Sequence, residues 1–309
     1  MAFYLSTKLN TPMEPMNNPR IVFLGTPRIA RIVLATLLDG GMSPVAVVCN
    51  PDRPVGRKQE LTAPEVKQFI RERNLAIPLL QPQKLSDAYD DLRALNPDFF
   101  VVAAYNKILR PEALAIPRLG SVCVHPSLLP LYRGPAPMKS SLLDGVTETG
   151  VTLFMMDDEV DHGPIIAQER IIVSPDETYL TLEDKLGILG GELLLTTMPQ
   201  LLAGGIVAVP QDHAHATLSR KYTSEDAFVP FSLLEQAVHG DPNAAQRIFR
   251  MIAGLNPEPG VWTEMDGVRW KLLASSYADG VLTLTTVQRA GGLPQPFTDS
   301  LLAKRLGSR

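Results

Sequence analysis

The chain has 309 residues, 45% of them hydrophobic and 20% charged, with a formal net charge of −4. This is the make-up of an ordinary soluble globular protein long enough for two domains. The charge excludes a global pull toward nucleic acid, so any RNA contact needs a local basic patch.

The first 18 residues have no continuous apolar core and no cleavage signature, so a frayed tail is expected and not a signal peptide. No apolar run approaches the ~18 residues that cross a bilayer, so no membrane partner is expected. Organised sequence begins at "RIVFLGT", where Ile21 to Leu24 read as a short buried strand. Thr26 and Pro27 then suit the cap and first turn of a helix, "RIARIVLATLLDGG", ended by its glycine pair. "SPVAVVCN" is a second strand, "EVKQFIRERN" a helix, "AIPLLQP" a third strand and "DAYDDLRALN" a helix. "PDFFVVAAY" and "GSVCVHP" are a fourth and a fifth strand. The alternation predicts a mainly parallel sheet with helices on both faces, where ligands bind beyond the carboxyl ends of the strands.

"ETGVTLFMMDDEVDHGPIIAQERIIV" reads as two antiparallel strands around an acidic turn, followed by a long helix that tolerates Gly187, Gly190 and Gly191 at some cost in propensity. Residues 205–218, short of large apolar side chains, read as a linker, with His213 and His215 exposed and incidental. Beyond it come helical sequence and several strands with Asp-Gly turns at 266–267 and 279–280, a small β-rich second domain. The expected division is thus a first domain over 19–204, a linker over 205–218 and a second domain over 219–309.

Cys49 and Cys123 lie in apolar β-branched runs outside any metal-ligand spacing. No disulfide is expected between them, and a reducing, cytoplasmic setting is. The acidic turn at 157–161 lacks a second ligand cluster and reads as solvated, so no metal is expected. "FLGTPRIA" lacks the GxGxxG spacing of a dinucleotide site.

The densest stretch is "SVCVHPSLLPLYRGPAP", residues 121–137. Strand geometry puts Cys123 and His125 on one face, and His125 at a strand's C-terminal end before a proline-bracketed loop. Asp161 is the candidate partner. A carboxylate beside an imidazole orients it and favours its charged form, the pairing an acyl or formyl transfer needs at its developing oxyanion.

"VHPSLLPLYRGPAP" with "ETGVTLFMMDDEVDHG" closely resembles the formyltetrahydrofolate-dependent formyltransferase family. "VFLGTP", "NPDRPVGR", "PEVK", "QPQKL", "VVAAYNKIL" and "LNPEPGVWTEMDGVRWKL" extend the resemblance in order from about Arg20 to at least Leu273. It implies a Rossmann-like formyl-transfer domain, a small C-terminal OB-like β-barrel domain that binds tRNA, and 10-formyltetrahydrofolate as co-substrate. It is nearest the tRNA-directed branch, in which the acceptor is the amino group of methionine on initiator tRNA. A monomer is expected.

The family's catalytic trio follows the pattern Asn-x-His with a later Asp-x-Gly. His125 and Asp161 match it, and Cys123 stands at the asparagine position. The cysteine reads as a buried hydrophobe, a weak S–H donor in the amide's place, or a reactive thiol. The resemblance assigns Ser127, Leu128, Leu129, Pro130, Arg133 and Gly134 to the folate and formyl pocket, with Tyr105, Asn106, Ile108 and Leu109. Asn106 stands where the family usually has glycine, and asparagine tolerates left-handed backbone. Arg53, Arg57 and Lys58 fall on the loop that enters the acceptor stem, with Arg57 on its key arginine. A sugar N-formyltransferase, a formyltetrahydrofolate hydrolase and a catalytically weakened tRNA-binding paralogue are the alternatives.

Overall fold

The computed structural model describes residues 19–56 and 59–307, so the expected N-terminal tail, Arg57 and Lys58 lie outside the described residues. In chain order the first half comprises β1 (Ile21–Gly25), α1 (Arg28–Asp39), β2 (Ala46–Val48), β3 (Arg53–Val55), β4 (Glu60–Thr62), α2 (Glu65–Glu72) and β5 (Leu79–Leu80). There follow α3 (Tyr89–Ala94), β6 (Phe99–Ala103), α4 (Pro111–Leu114), β7 (Ser121–His125), α5 (Pro137–Asp144), β8 (Glu148–Met155), β9 (Ile165–Ile172) and α6 (Tyr179–Leu202). Seven strands form one sheet in the order β5-β2-β1-β6-β7-β8-β9. The strands from β5 to β7 run parallel, and β8 and β9 add antiparallel pairs at the far side. This is the mainly parallel doubly covered sheet that the sequence predicts.

Each central strand is buried on both faces, which is why it reads as an unbroken apolar run. Ile21, Phe23, Val47, Phe99, Val101, Val122 and Val124 pack in a core shared with α1 and α6. Val22, Leu24, Val48, Phe100, Val102 and Cys123 face the opposite layer with Leu92, Leu109 and Ala113. Cys49 belongs to the first core and Cys123 to the second, so the sheet lies between the two thiols and both are free.

Two local expectations change. Thr26 does not cap α1: Pro27 holds the cap position, and the Thr26 hydroxyl accepts from the Asn50 backbone N–H at 3.2 Å, tying the ends of β1 and β2. The glycines of α6 are contact points. A Cβ on Gly187 would stand 2.8 Å from Ile32, and one on Gly191 2.4 Å from Thr36, so both let α6 lie close against α1.

The second core is built from α7 (Phe231–Val238), α8 (Pro242–Leu255), β10 (Trp262–Met265), β11 (Val268–Ala278), β12 (Val281–Arg289), β13 (Pro294–Pro296) and α9 (Leu301–Leu306). Its strands form one antiparallel sheet in chain order, with the buried Trp270 among its inward side chains. Asp241 caps α8 by accepting from Asn243 and Ala244 N–H, and Ser300 caps α9. α8 also packs on α5, where Gly254 sits close to Leu142, and this joins the second core to the first. Among the described residues no helix is long and apolar enough to cross a membrane.

Candidate active site

β6 and β7 end side by side, with Val102 paired to Cys123. The loops that follow them form the crevice expected of a parallel sheet. His125 is the last residue of β7 and is buried. Its Nε2 donates to the Tyr132 carbonyl at 3.0 Å, and its Nδ1 faces Asp161 Oδ2 at 3.6 Å. Asp161 sits in left-handed backbone (φ 50°), and the same Oδ2 accepts the Gly134 backbone N–H at 2.6 Å. One carboxylate oxygen thus touches both the histidine and the loop that follows it.

That loop is fastened along its whole length. Ser127 N–H donates to His125 O, and its hydroxyl donates to Leu131 O at 2.6 Å. Thr152, fully buried in β8, accepts from Leu129 N–H at 3.0 Å and donates to Ser127 O at 2.7 Å. Gln168 on β9 donates to Leu129 O and to the Thr152 hydroxyl, both at 2.8 Å. On the other side runs the segment expected to be a linker. Thr217 accepts from Tyr132 N–H, its carbonyl accepts from Arg133 N–H, and its own N–H donates to Pro130 O. Ser219 N–H donates to Arg133 O, and its hydroxyl accepts from Ala136 N–H. Gly134 is required here, because its φ is 111° and a Cβ would stand 2.8 Å from Ser219 O.

Arg133 is buried, and its guanidinium is taken up by the strap. Its Nε and Nη2 donate to Gln211 Oε1 at 3.1 and 2.6 Å, and Gln211 Nε2 donates to the carbonyls of Asp161 and Gly163. Residues 205–218 are therefore a strap over the site, bridged to β9 through Ile165 and Val209, and not a free connection. His213 is exposed but engaged: its ring stacks on His162, and its Nδ1 meets Arg133.

The Cys123 thiol lies with Tyr105, Leu109, Leu129 and Phe154 in the second layer, only 9% exposed and without a hydrogen bond among the described residues. Burial, with the nearby Asp161 charge adding to it, pushes this thiol well above the ordinary range. Both effects hold it protonated and work against a thiolate nucleophile.

After β6, Asn106 takes the left-handed conformation (φ 62°) that its residue type permits. Tyr105 is buried with its ring inside the core, and burial pushes its phenol up to about 12. Its backbone carbonyl accepts from Asn50 Nδ2 at the crevice. Leu109 is buried, and Ile108 stands 81% exposed at the rim. Leu128 and Pro130 are half-buried. Arg53 lies on an exposed hairpin in which, among the described residues, β3 pairs only with β4. The hairpin's base is tied by Lys67 to Asp52 at 2.7 and 2.8 Å and by Gln81 to Asp52 and Asn50. The described residues contain no group of three or more His, Cys, Asp or Glu that could hold a metal ion.

A formyl transferase family profile matches residues 19–198. The chain is 39% identical to the methionyl-tRNA formyltransferase of Roseiflexus castenholzii over 307 residues, covering 91% of this chain and 94% of that protein. The chain belongs to the methionyl-tRNA formyltransferase family. Two solved structures share its fold at low sequence identity. HypX from Aquifex aeolicus, in complex with tetrahydrofolic acid, has a TM-score of 0.64 at 14% identity, over 94% of this chain and 48% of that one. The methionyl-tRNA formyltransferase from Clostridium thermocellum has a TM-score of 0.54 at 14% identity, over 87% of this chain and 97% of that one.

Within this formyltransferase, the structure brings together His125, Asp161, Cys123 and the 127–134 loop. It adds Thr152, Gln168, Gln211, Thr217 and Ser219, which the sequence reading did not single out. Thr152 had a signal, as a lone hydroxyl inside the apolar run "VTLF". A buried polar group implies a partner.

Proposed function

We propose that this chain transfers the formyl group of 10-formyltetrahydrofolate to the amino group of methionyl initiator tRNA, acting in the cytoplasm as a monomer. The observation that carries the reading is the convergence of His125, Asp161 and the Gly134 amide beyond the end of β7, in a chain of this family.

The amine attacks the formyl carbon, a carbon–nitrogen bond forms, and the bond to the folate nitrogen breaks as that nitrogen takes up a proton. His125 polarises the formyl oxygen and relays the proton shed by the amine. Asp161, fixed by Gly134, stabilises the imidazolium as it forms. The exposed Ile108 and the apolar Leu128 and Pro130 supply a wall for the flat folate ring. Cys123 offers at best a weak S–H donor where the family has an amide, and loss of such a donor costs on the order of 10²–10³ in rate. Arg53, with Arg57 and Lys58 beside it in sequence, meets the phosphates of the acceptor stem, which makes tRNA binding salt-dependent.

The test is to follow radiolabel from 10-formyltetrahydrofolate with and without Met-tRNA. Label in Met-tRNA is the expected result. Label released only as formate, regardless of tRNA, would assign a hydrolase, and tRNA binding without label would assign a weakened paralogue.

A further inference from the structure

Two imidazoles beside the site have no task in the reaction above. His213, on the strap, and His162, next to Asp161 in the β8–β9 turn, stack with ring centroids 4.2 Å apart and planes 6° from parallel. Each is held at its Nδ1, by groups of opposite charge. Asp157 Oδ2 lies 2.7 Å from His162 Nδ1, and Arg133 Nη2 lies 2.8 Å from His213 Nδ1. A guanidinium has only donors and does not lose its proton in a protein. Nδ1 of His213 is therefore the acceptor, and in this arrangement the ring is neutral with its proton on Nε2. From Arg133 the contacts continue through Gln211 to the carbonyls of Asp161 and Gly163, on either side of His162.

We infer that neutral His213 is a positioning residue for Asp161, and that protonating it releases the Arg133–Gln211 clamp from the Asp161 turn. For its kinetic readout, this rests on the formyl-transfer reading. The groups that face His213 are Arg133 from the loop after β7 and His162 from the β8–β9 turn, with Asp157 and Glu159 against His162. On its own segment stand Asp212 and His215, and the Asp212 carboxylate is already engaged by His215 Nδ1 at 2.8 Å and by Ala214 N–H. A second proton on His213 would sit at Nδ1, against the guanidinium. Acidification thus removes Arg133's acceptor and places a cation beside it, while the nearby Asp212 charge, which acts on His213 from the strap's own turn, favours that proton.

The test measures kcat for formyl transfer to Met-tRNA from about pH 5 to 8 in the wild type, His213→Leu and His213→Gln. Imidazole ¹⁵N spectra of the substrate-free protein accompany it. Leucine offers Arg133 nothing, whereas a glutamine oxygen accepts at every pH. His213→Leu is expected to lower kcat about fivefold at neutral pH, the rate equivalent of roughly one net hydrogen bond. KM for Met-tRNA should not change. His213→Gln should restore kcat and show a shallower acid limb than the wild type, since the glutamine oxygen keeps its contact with Arg133 as the pH falls. The spectra should show His213 protonated at Nε2 and bare at Nδ1. Full kcat in His213→Leu, identical acid limbs in wild type and His213→Gln, or a proton on Nδ1 at neutral pH overturns the inference. A wild type that transfers no formyl group at any pH overturns the proposed function instead, and the tautomer seen in the spectra then decides the inference by itself.

Discussion

The loop after β7 and the β3–β4 hairpin both border the carboxyl-end crevice of the sheet, yet they are held in opposite ways. In the loop, the backbone N–H groups of Ser127, Leu129, Leu131, Tyr132, Arg133, Gly134 and Ala136 all have partners, several of them from β8 or from the strap. Among the described residues the hairpin pairs only with itself; it leaves Leu61 72% exposed and is fastened at its base by Lys67, Asp52 and Gln81. On the proposed function, the difference follows the size of what each would meet. Chemistry on a formyl group needs groups fixed within a fraction of an ångström, and interlocked backbone contacts supply that. A segment that meets a large acceptor gains from low local stability, provided its root is anchored.

The largest effect should come from breaking the loop at its most constrained point. Gly134→Ala combines a left-handed φ with a clash against Ser219 O. It is expected to cost about 2 kcal/mol in urea unfolding and to lower formyl transfer about 100-fold by displacing the Asp161 contact. Thr152→Val comes next. It strips Leu129 N–H of its acceptor and Ser127 O of its donor. A loss of about 2 kcal/mol in stability should accompany a smaller fall in kcat.

On the hairpin side, the effects should spare the fold. The Lys67 ammonium, with the Gln81 amide adding to it, holds the Asp52 carboxyl below the usual range. A lowered folded value means that this tie is intact above the ordinary carboxylate pKa of about 3.9 and is lost as pH falls further. Pepsin cleavage between residues 53 and 62 should therefore accelerate below about pH 4. In Asp52→Asn that cleavage should already be fast and respond less to pH. Smallest of all, Arg53→Ala should leave Tm and kcat unchanged. It should raise KM for tRNA by a few-fold and flatten its salt dependence by about one charge. An Arg53→Ala variant with reduced kcat and unchanged KM would erase the distinction between the two regions.

What could be read in the sequence follows the same division. "IVFLG", "FFVVA" and "SVCVH" are strands buried on both faces, so hydrophobic runs reveal them, and the order of elements puts His125 at a carboxyl end. The His125–Asp161 pairing came from a motif, and the structure sets them 3.6 Å apart. The strap is not legible in the sequence because it works through backbone groups, Gln211 and small hydroxyl residues, none of which leave a hydrophobic period. The hairpin reads as a loop in the sequence because "RPV" and "ELT" carry no alternation and Pro54 argues against a strand. The short helix α5, opened by Pro137, was hidden by its small polar residues.

The assignment of the site to formyl transfer meets its most direct test in the single-turnover rate from 10-formyltetrahydrofolate to Met-tRNA by Asp161→Asn beside the wild type. An asparagine oxygen can still accept the Gly134 amide, so the loop keeps its anchor and only the charge facing His125 is removed. The expected result is a rate lower by about 10²–10⁴-fold with tRNA affinity unchanged. A rate equal to that of the wild type would contradict the assignment of Asp161 as the partner of His125.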